Sequence, residues 1–225
     1  MEEKEHQQKE FKDMTRQEQN QEMKHMLGEL RYLEKQMNEE ARREGEDPVF
    51  ELTFIEKHQM EEWTGKRFGD VIFDSDKDDY NVNTSTFSDK VFNRSNLFFV
   101  IENEHKAKFG GYLNAKITQL DQWITDPHAF VFTLRSSGNG CLAMEKYECV
   151  KPQNACKVDT KIGEWYLILF GGEGGIGHDI TLRKKNMKGE SYCYQGGCYN
   201  YHGKEHALIG VGDFVMKRIS VYQMK

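Results

Sequence analysis

From residue 71 onward the chain is a succession of short β-branched and aromatic runs, each bounded by Gly, Asn or Asp. They are Val71-Ile-Phe73, Leu97-Phe-Phe-Val-Ile101, Ala129-Phe-Val-Phe-Thr-Leu134, Trp165-Tyr-Leu-Ile-Leu-Phe170, Ile180-Thr-Leu182 and the stretch from Phe214 to Tyr222. Side chains of this kind suit a pleated, half-buried surface, so each run is predicted to be a strand. Parallel strands need a helix-sized crossover between them, and most of the intervening segments are too short and too glycine-rich to supply one. The pattern therefore predicts a mainly β (α+β) fold: a two-sheet antiparallel β-sandwich with a few short helices. One of these is expected from Ile55 to Trp63, with Ile55, Gln59/Met60 and Trp63 on one side.

A different composition precedes this region. Residues 1–46 hold 13 acidic and 9 basic residues and no proline, and Gln, Glu and Lys dominate. These are good helix formers. Met23, Met26, Leu30, Leu33 and Met37 recur at alternating steps of three and four, which is the a/d seam of a heptad repeat. A long N-terminal helix is predicted, with about two good heptads where ~3–4 are wanted for a stable coiled coil. It would act as a self-associating or tethering arm, giving a homodimer in the first case. Gly45 to Pro48 should close it, because proline cannot continue the ladder. The expected division is a helical arm at 1–46 and a β-sandwich domain at 47–225.

The formal charge of -6 provides no basic footprint for nucleic acid. The longest apolar run, Trp165 to Phe170, is far short of a membrane span. The first ten residues are charged and lack the apolar core of a secretory signal. A cytoplasmic protein is expected, and the five cysteines, Cys141, Cys149, Cys156, Cys193 and Cys198, are read as free thiols.

Several motifs suggest chemistry and are better explained otherwise. Gly172, Gly174 and Gly177 have the spacing of a dinucleotide fingerprint. That mechanism needs a helix N-terminus aimed at the pyrophosphate, whereas His178-Asp-Ile-Thr-Leu182 alternates like a strand, so a hairpin loop is predicted. Val71-Ile-Phe-Asp74-Ser-Asp76 resembles the nucleophile strand of metal-dependent phosphatases, with Asp74 as nucleophile and Asp76 as acid/base. This is the alternative function, but Lys77 follows where Thr or Val belongs. Asp74, Asp76 and Asp78 also have calcium-loop spacing, yet Asp79 and Ser85 stand where such a loop needs Gly and Glu. Cys193, Cys198, His202 and His206 are soft ligands close together, without the spacing of a known zinc finger. No cofactor and no metal site are predicted, and no catalytic residue.

Other residues make local sense. Gly110 and Gly111 interrupt a strand, where glycine permits a bulge or a close backbone approach. Tyr112 and Leu113 should then face opposite sides. Asp126-Pro127 starts a turn before the strand beginning at Ala129. Phe130 and Phe132 share one face, assigned to the core.

The order of motifs after residue 60 resembles the TLDc family. It runs through Trp63-Thr-Gly-Lys, Val71-Ile-Phe-Asp-Ser-Asp, Lys108-Phe109-Gly110-Gly111-Tyr112, Asp126-Pro127-His-Ala129-Phe130-Val-Phe132, Phe170-Gly171-Gly172 with Gly177-His-Asp-Ile180, and Lys217-Arg-Ile-Ser-Val-Tyr222. The Asp-Ser-Asp turn and the helical leader resemble a divergent protozoan branch. The resemblance implies a two-sheet sandwich without established catalytic residues. It also implies a non-enzymatic adaptor linked to oxidative-stress protection, or to regulation of the vacuolar proton pump through binding of its subunits.

Overall fold

The structure is a computed structural model of the 225-residue chain. It describes residues 15–43, 52–135, 142–160, 162, 164–172, 177–187, 189–204, 207–210 and 212–225. The chain divides into two compact units, 1–57 and 58–225.

In the first unit, helix α1 spans Arg16–Arg43. Its start is a capping box: the Thr15 amide donates to Glu18 Oε2 at 2.8 Å, and the Glu18 amide donates to Thr15 Oγ1 at 3.4 Å. Met26, Leu30 and Leu33 of the predicted seam are exposed on this helix. The side chains of Met23 and Met37, and the closing stretch from Gly45 to Pro48, lie outside the described residues. A second capping box, Thr53 with Glu56, opens helix α2 at Phe54–Thr64, whose residues from His58 onward belong to the second unit.

The second unit holds two six-stranded sheets. In chain order the strands are β1 Val71–Asp74, β2 Leu97–Asn103, β3 Lys108–Leu113, β4 Trp123–Ile124, β5 Phe130–Arg135, β6 Leu142–Glu148, β7 Cys156–Val158, β8 Tyr166–Phe170, β9 Ile180–Arg183, β10 Ser191–Cys193, β11 Gly212–Phe214 and β12 Met216–Gln223. Sheet I has the order β1-β12-β2-β3-β5-β6 and sheet II the order β11-β10-β9-β8-β7-β4. Every paired strand runs antiparallel to its neighbour. The short helix α3, Phe87–Val91, packs against β1 through Phe87, whose ring lies 4.9 Å from that of Phe73.

Between the sheets lies an apolar core. Phe99 meets Phe170 edge-on at 5.6 Å, and Phe109 meets Phe214 at 5.2 Å. Gly111 sits at the tightest point, where a Cβ would run into the Phe170 ring. Its neighbour Gly110 faces the other way, where a Cβ would overlap the Phe99 carbonyl oxygen. Both glycines lie in unbroken pairing with β2 and β5, so close approach rather than a bulge explains them.

Two predicted features differ from the structure. Phe214 to Tyr222 is not one strand: Phe214 ends β11 in sheet II and Met216 begins β12 in sheet I, so the chain changes sheets at Val215. Phe130 and Phe132 do share a face, but it is the outer face of sheet I, while Val131 between them enters the inter-sheet core. Strands β2, β3 and β5 are buried along their whole length on both faces. A doubly buried strand reads as a continuous apolar run, so alternation does not identify which side is the interior.

Gly111→Ala should lower stability by about 1–3 kcal/mol through overpacking against Phe170. Urea denaturation of the variant beside the wild type measures this, with Gly28→Ala as a control, since among the described residues nothing lies within 4 Å of a Cβ at Gly28.

Candidate functional site

The outer face of sheet I carries an aromatic cluster. Phe98 lies 4.7 Å from Tyr112, 5.7 Å from Phe130 and 5.4 Å from Phe132, and Tyr112 stacks on Phe130 at 4.9 Å. Trp63, in the last turn of α2, covers Phe130 and Phe132 at 5.9 and 5.7 Å. Beside Trp63 the cover stops, and a groove of ≈ 430 Å³ opens. Its walls include Trp63, Tyr112, Pro127, Ala129 and Phe130, with Asn114, His128, Lys146 and Glu148 at the rim. The Lys146 ammonium sits 5.5 Å from the Phe130 ring centre and 3.4 Å from Glu148 Oε1. Two hydroxyl groups face this region. Thr64 Oγ1 donates to the Met60 carbonyl at 2.9 Å. The Tyr112 phenol is pushed up to about 12 by burial and then by the charge of Asp126. Neither is arranged as a nucleophile.

Asp126 builds one wall. Its carboxylate is buried and accepts the amides of Asn114 at 2.6 Å and Ala115 at 2.8 Å on Oδ2, and of His128 at 2.9 Å on Oδ1. One side chain thus ties the end of β3 to the entry of β5, and Pro127 projects from the turn it fixes. Of the signature residues singled out in the sequence, Trp63, Tyr112, Pro127, Ala129 and Phe130 meet in the groove. Asp126 supports it, and Phe132 lies beneath Trp63. Phe109, Gly110 and Gly111 belong to the sandwich interior and the β3 backbone.

Gly171 and Gly172 lie elsewhere, at the end of β8. Gly171 has φ +62, and a Cβ there would overlap Asp179 Oδ2. Gly172 lies under Trp123 and His178, and its amide donates to Cys198 Sγ at 3.1 Å. Asp179 is fully buried; its Oδ1 accepts the Tyr201 hydroxyl at 2.8 Å, and Oδ2 has no hydrogen-bond partner among the described residues. Burial pushes this carboxyl up to about 6, against the opposing hydrogen bonds from Tyr201 and the amides of Cys198 and Gly196. Asp179 stood inside the Gly177-His-Asp motif, but nothing in the sequence marked it as buried.

The remaining motifs resolve as follows. β9 is a strand paired antiparallel with β8 through Phe170 and Ile180, where a dinucleotide fingerprint needs a helix; residues 173–176 lie outside the described set. Asp74 is held by Arg218, which donates from Nε at 3.0 Å and Nη2 at 2.8 Å. Burial would raise the Asp74 carboxyl, but the Arg218 hydrogen bonds, the Asp76 amide and the charges of Arg218 and Lys77 hold it below the usual value. Asp76 also meets Arg218, at 3.2 Å, and Asp78 meets Lys90 at 2.6 Å. A phosphatase nucleophile or a calcium loop needs these oxygens facing a cation or phosphate; here protein cations occupy them. Cys193 and Cys198 are buried, whereas His202 is exposed, so they do not converge. His206 and Cys141 lie outside the described residues.

A two-layer antiparallel β-sandwich with an aromatic groove on one outer face defines the structural class. A scan against protein families matches residues 53–225 to the TLDc domain, and the chain belongs to that family. No curated protein matches the chain.

Among the described residues, Cys149, Cys156, Cys193 and Cys198 form no disulfide. Burial drives the thiols of Cys156 and Cys193 well above their ordinary value, and that of Cys149 up to about 11. Since the thiolate is the reactive species, a Cys141→Ser variant should react with less than about one equivalent of a thiol reagent near neutral pH. Titration after unfolding in denaturant should recover all four remaining thiols.

Proposed function

We propose that this TLDc domain is a non-catalytic regulatory module that recognises a protein partner through the groove under Trp63, with α1 as a self-associating arm. The observation that carries the reading is the convergence of Trp63, Tyr112, Pro127, Ala129 and Phe130, distant in sequence, on one open groove. Aromatic rings and a proline with charges at the rim are the makings of a protein-recognition surface, where Trp and Tyr anchors contribute most of the affinity. Pump subunits of the vacuolar proton-translocating machinery are the candidate partners that family membership brings forward, and protection against oxidative stress is the candidate setting. No helix among the described residues is long and apolar enough to cross a membrane.

Native-lysate capture on the wild-type chain and on a His128→Ala, Lys146→Glu variant tests the groove. These rim residues are partly or fully exposed, so the variant should fold normally and lose the captured partner by about tenfold or more, because reversing the Lys146 charge sets the rim against a partner matched to the wild-type surface. Equal recovery on both proteins overturns the groove as the contact surface.

The exposed stripe of Met26, Leu30 and Leu33 supports the second element, since apolar residues at heptad spacing are self-complementary. Light scattering should find a dimer for the full chain and a monomer for Leu30→Glu, Leu33→Glu. Monomers in both samples at high concentration refute pairing through this helix.

A further inference from the structure

Asp179 lies outside the groove and plays no part in the proposed recognition, yet its environment is chemically demanding. The carboxylate is fully buried at the corner between Gly171 and the 196–201 segment. Groups from four directions face it. From the 196–201 segment come the Tyr201 hydroxyl, Tyr199, Cys198 and the amides of Gly196 and Cys198. Cys193 faces it from β10, Cys149 from the end of β6, and the Gly171 backbone from β8. The phenols of Tyr199 and Tyr201 and the thiols of Cys193 and Cys149 are held above their ordinary values by burial, so they are neutral near neutral pH. Its chain neighbour His178 is held below its ordinary value by burial and by Lys157, so it too carries no charge there. Lys151 reaches the segment at Gly197.

A buried carboxylate among neutral groups is expensive to ionise, and one of its oxygens has no donor among the described residues. We propose that Asp179 is a proton-binding switch: it takes up a proton as the medium becomes mildly acidic, and the domain gains stability when it does.

The sign follows from linkage. The folded-state value, about 6, lies above the ordinary carboxyl value of 3.8. Between those limits the folded chain binds more protons than the unfolded chain. Stability therefore rises as pH falls through about 6 and levels off below the unfolded value. His178 works in the opposite sense, because a depressed imidazole loses stability as pH falls through its unfolded value. A comparison that keeps His178 in both proteins separates the two.

Two measurements on the full chain test the proposal. The first follows the Asp179 side-chain carboxyl by carbon-13 NMR in the wild type. A midpoint near pH 6 is expected, with an upward shift in Tyr201→Phe, which removes a donor favouring the charged form; a midpoint below about pH 4.5 overturns the proposal. The second compares melting temperatures of wild type and Asp179→Asn between pH 7.5 and 5. The wild type should gain relative to the variant on acidification, and parallel curves overturn the proposal. Should Asp179→Asn not fold, the NMR titration decides alone.

Discussion

Where β3 crosses the Phe170 ring there is room for a hydrogen atom and nothing larger. Gly111 provides it, and the separation of the two sheets follows from that contact. Phe99 and Phe109 can then interlock with Phe170 and Phe214. Gly110 does the equivalent on the opposite side of the same strand, letting Phe132 lie close over the backbone at 3.3 Å from where a Cβ would stand. Two adjacent glycines thus set the thickness of the core and the depth of the outer aromatic layer. Tyr112, next in the chain, is delivered to the groove because the strand beneath it is pinned on both faces.

Sheet I is divided along its outer face. At one end lies the aromatic cluster. At the other, the pairing register places Arg218, Glu102, Lys108 and Arg135 in one row across β12, β2, β3 and β5. Lys108 and Glu102 are both buried, 3.7 Å apart, and Arg218 is anchored on Asp74. Buried ion pairs of this kind add little net stability, since desolvation offsets their attraction, but a slipped register would leave each charge without its neighbour. The row and the aromatic layer together select a single alignment of four strands.

Much of the architecture was legible because aromatic and β-branched runs announce themselves. β2, β5, β8 and β9 were anticipated within a residue or two. β6, β7 and β10 were not, and the reason is visible in their residues. Leu142–Glu148 carries Lys and Glu on an edge strand, where charge guards an open margin and masks the strand pattern. Cys156–Val158 and Ser191–Cys193 are too short for any periodicity to show. The sequence named the groove residues as a family signature but did not bring them together, because Trp63 and Pro127 are joined only by the tertiary fold. Asp126 was read as a turn starter, and its three amide contacts show how it acts as one.

β12 lies between β1 and β2 in sheet I, so Val71 pairs with Tyr222, about 150 positions later. Until residues 216–223 leave the ribosome, the margins of β1 and β2 remain open and hydrogen-bonding. Such a nascent chain cannot close its larger sheet piecemeal, and non-local pairing of this kind folds slowly. A translational stop before residue 216 would therefore leave a chain with two exposed strand margins, a substrate for chaperones and proteases rather than a slightly weakened protein.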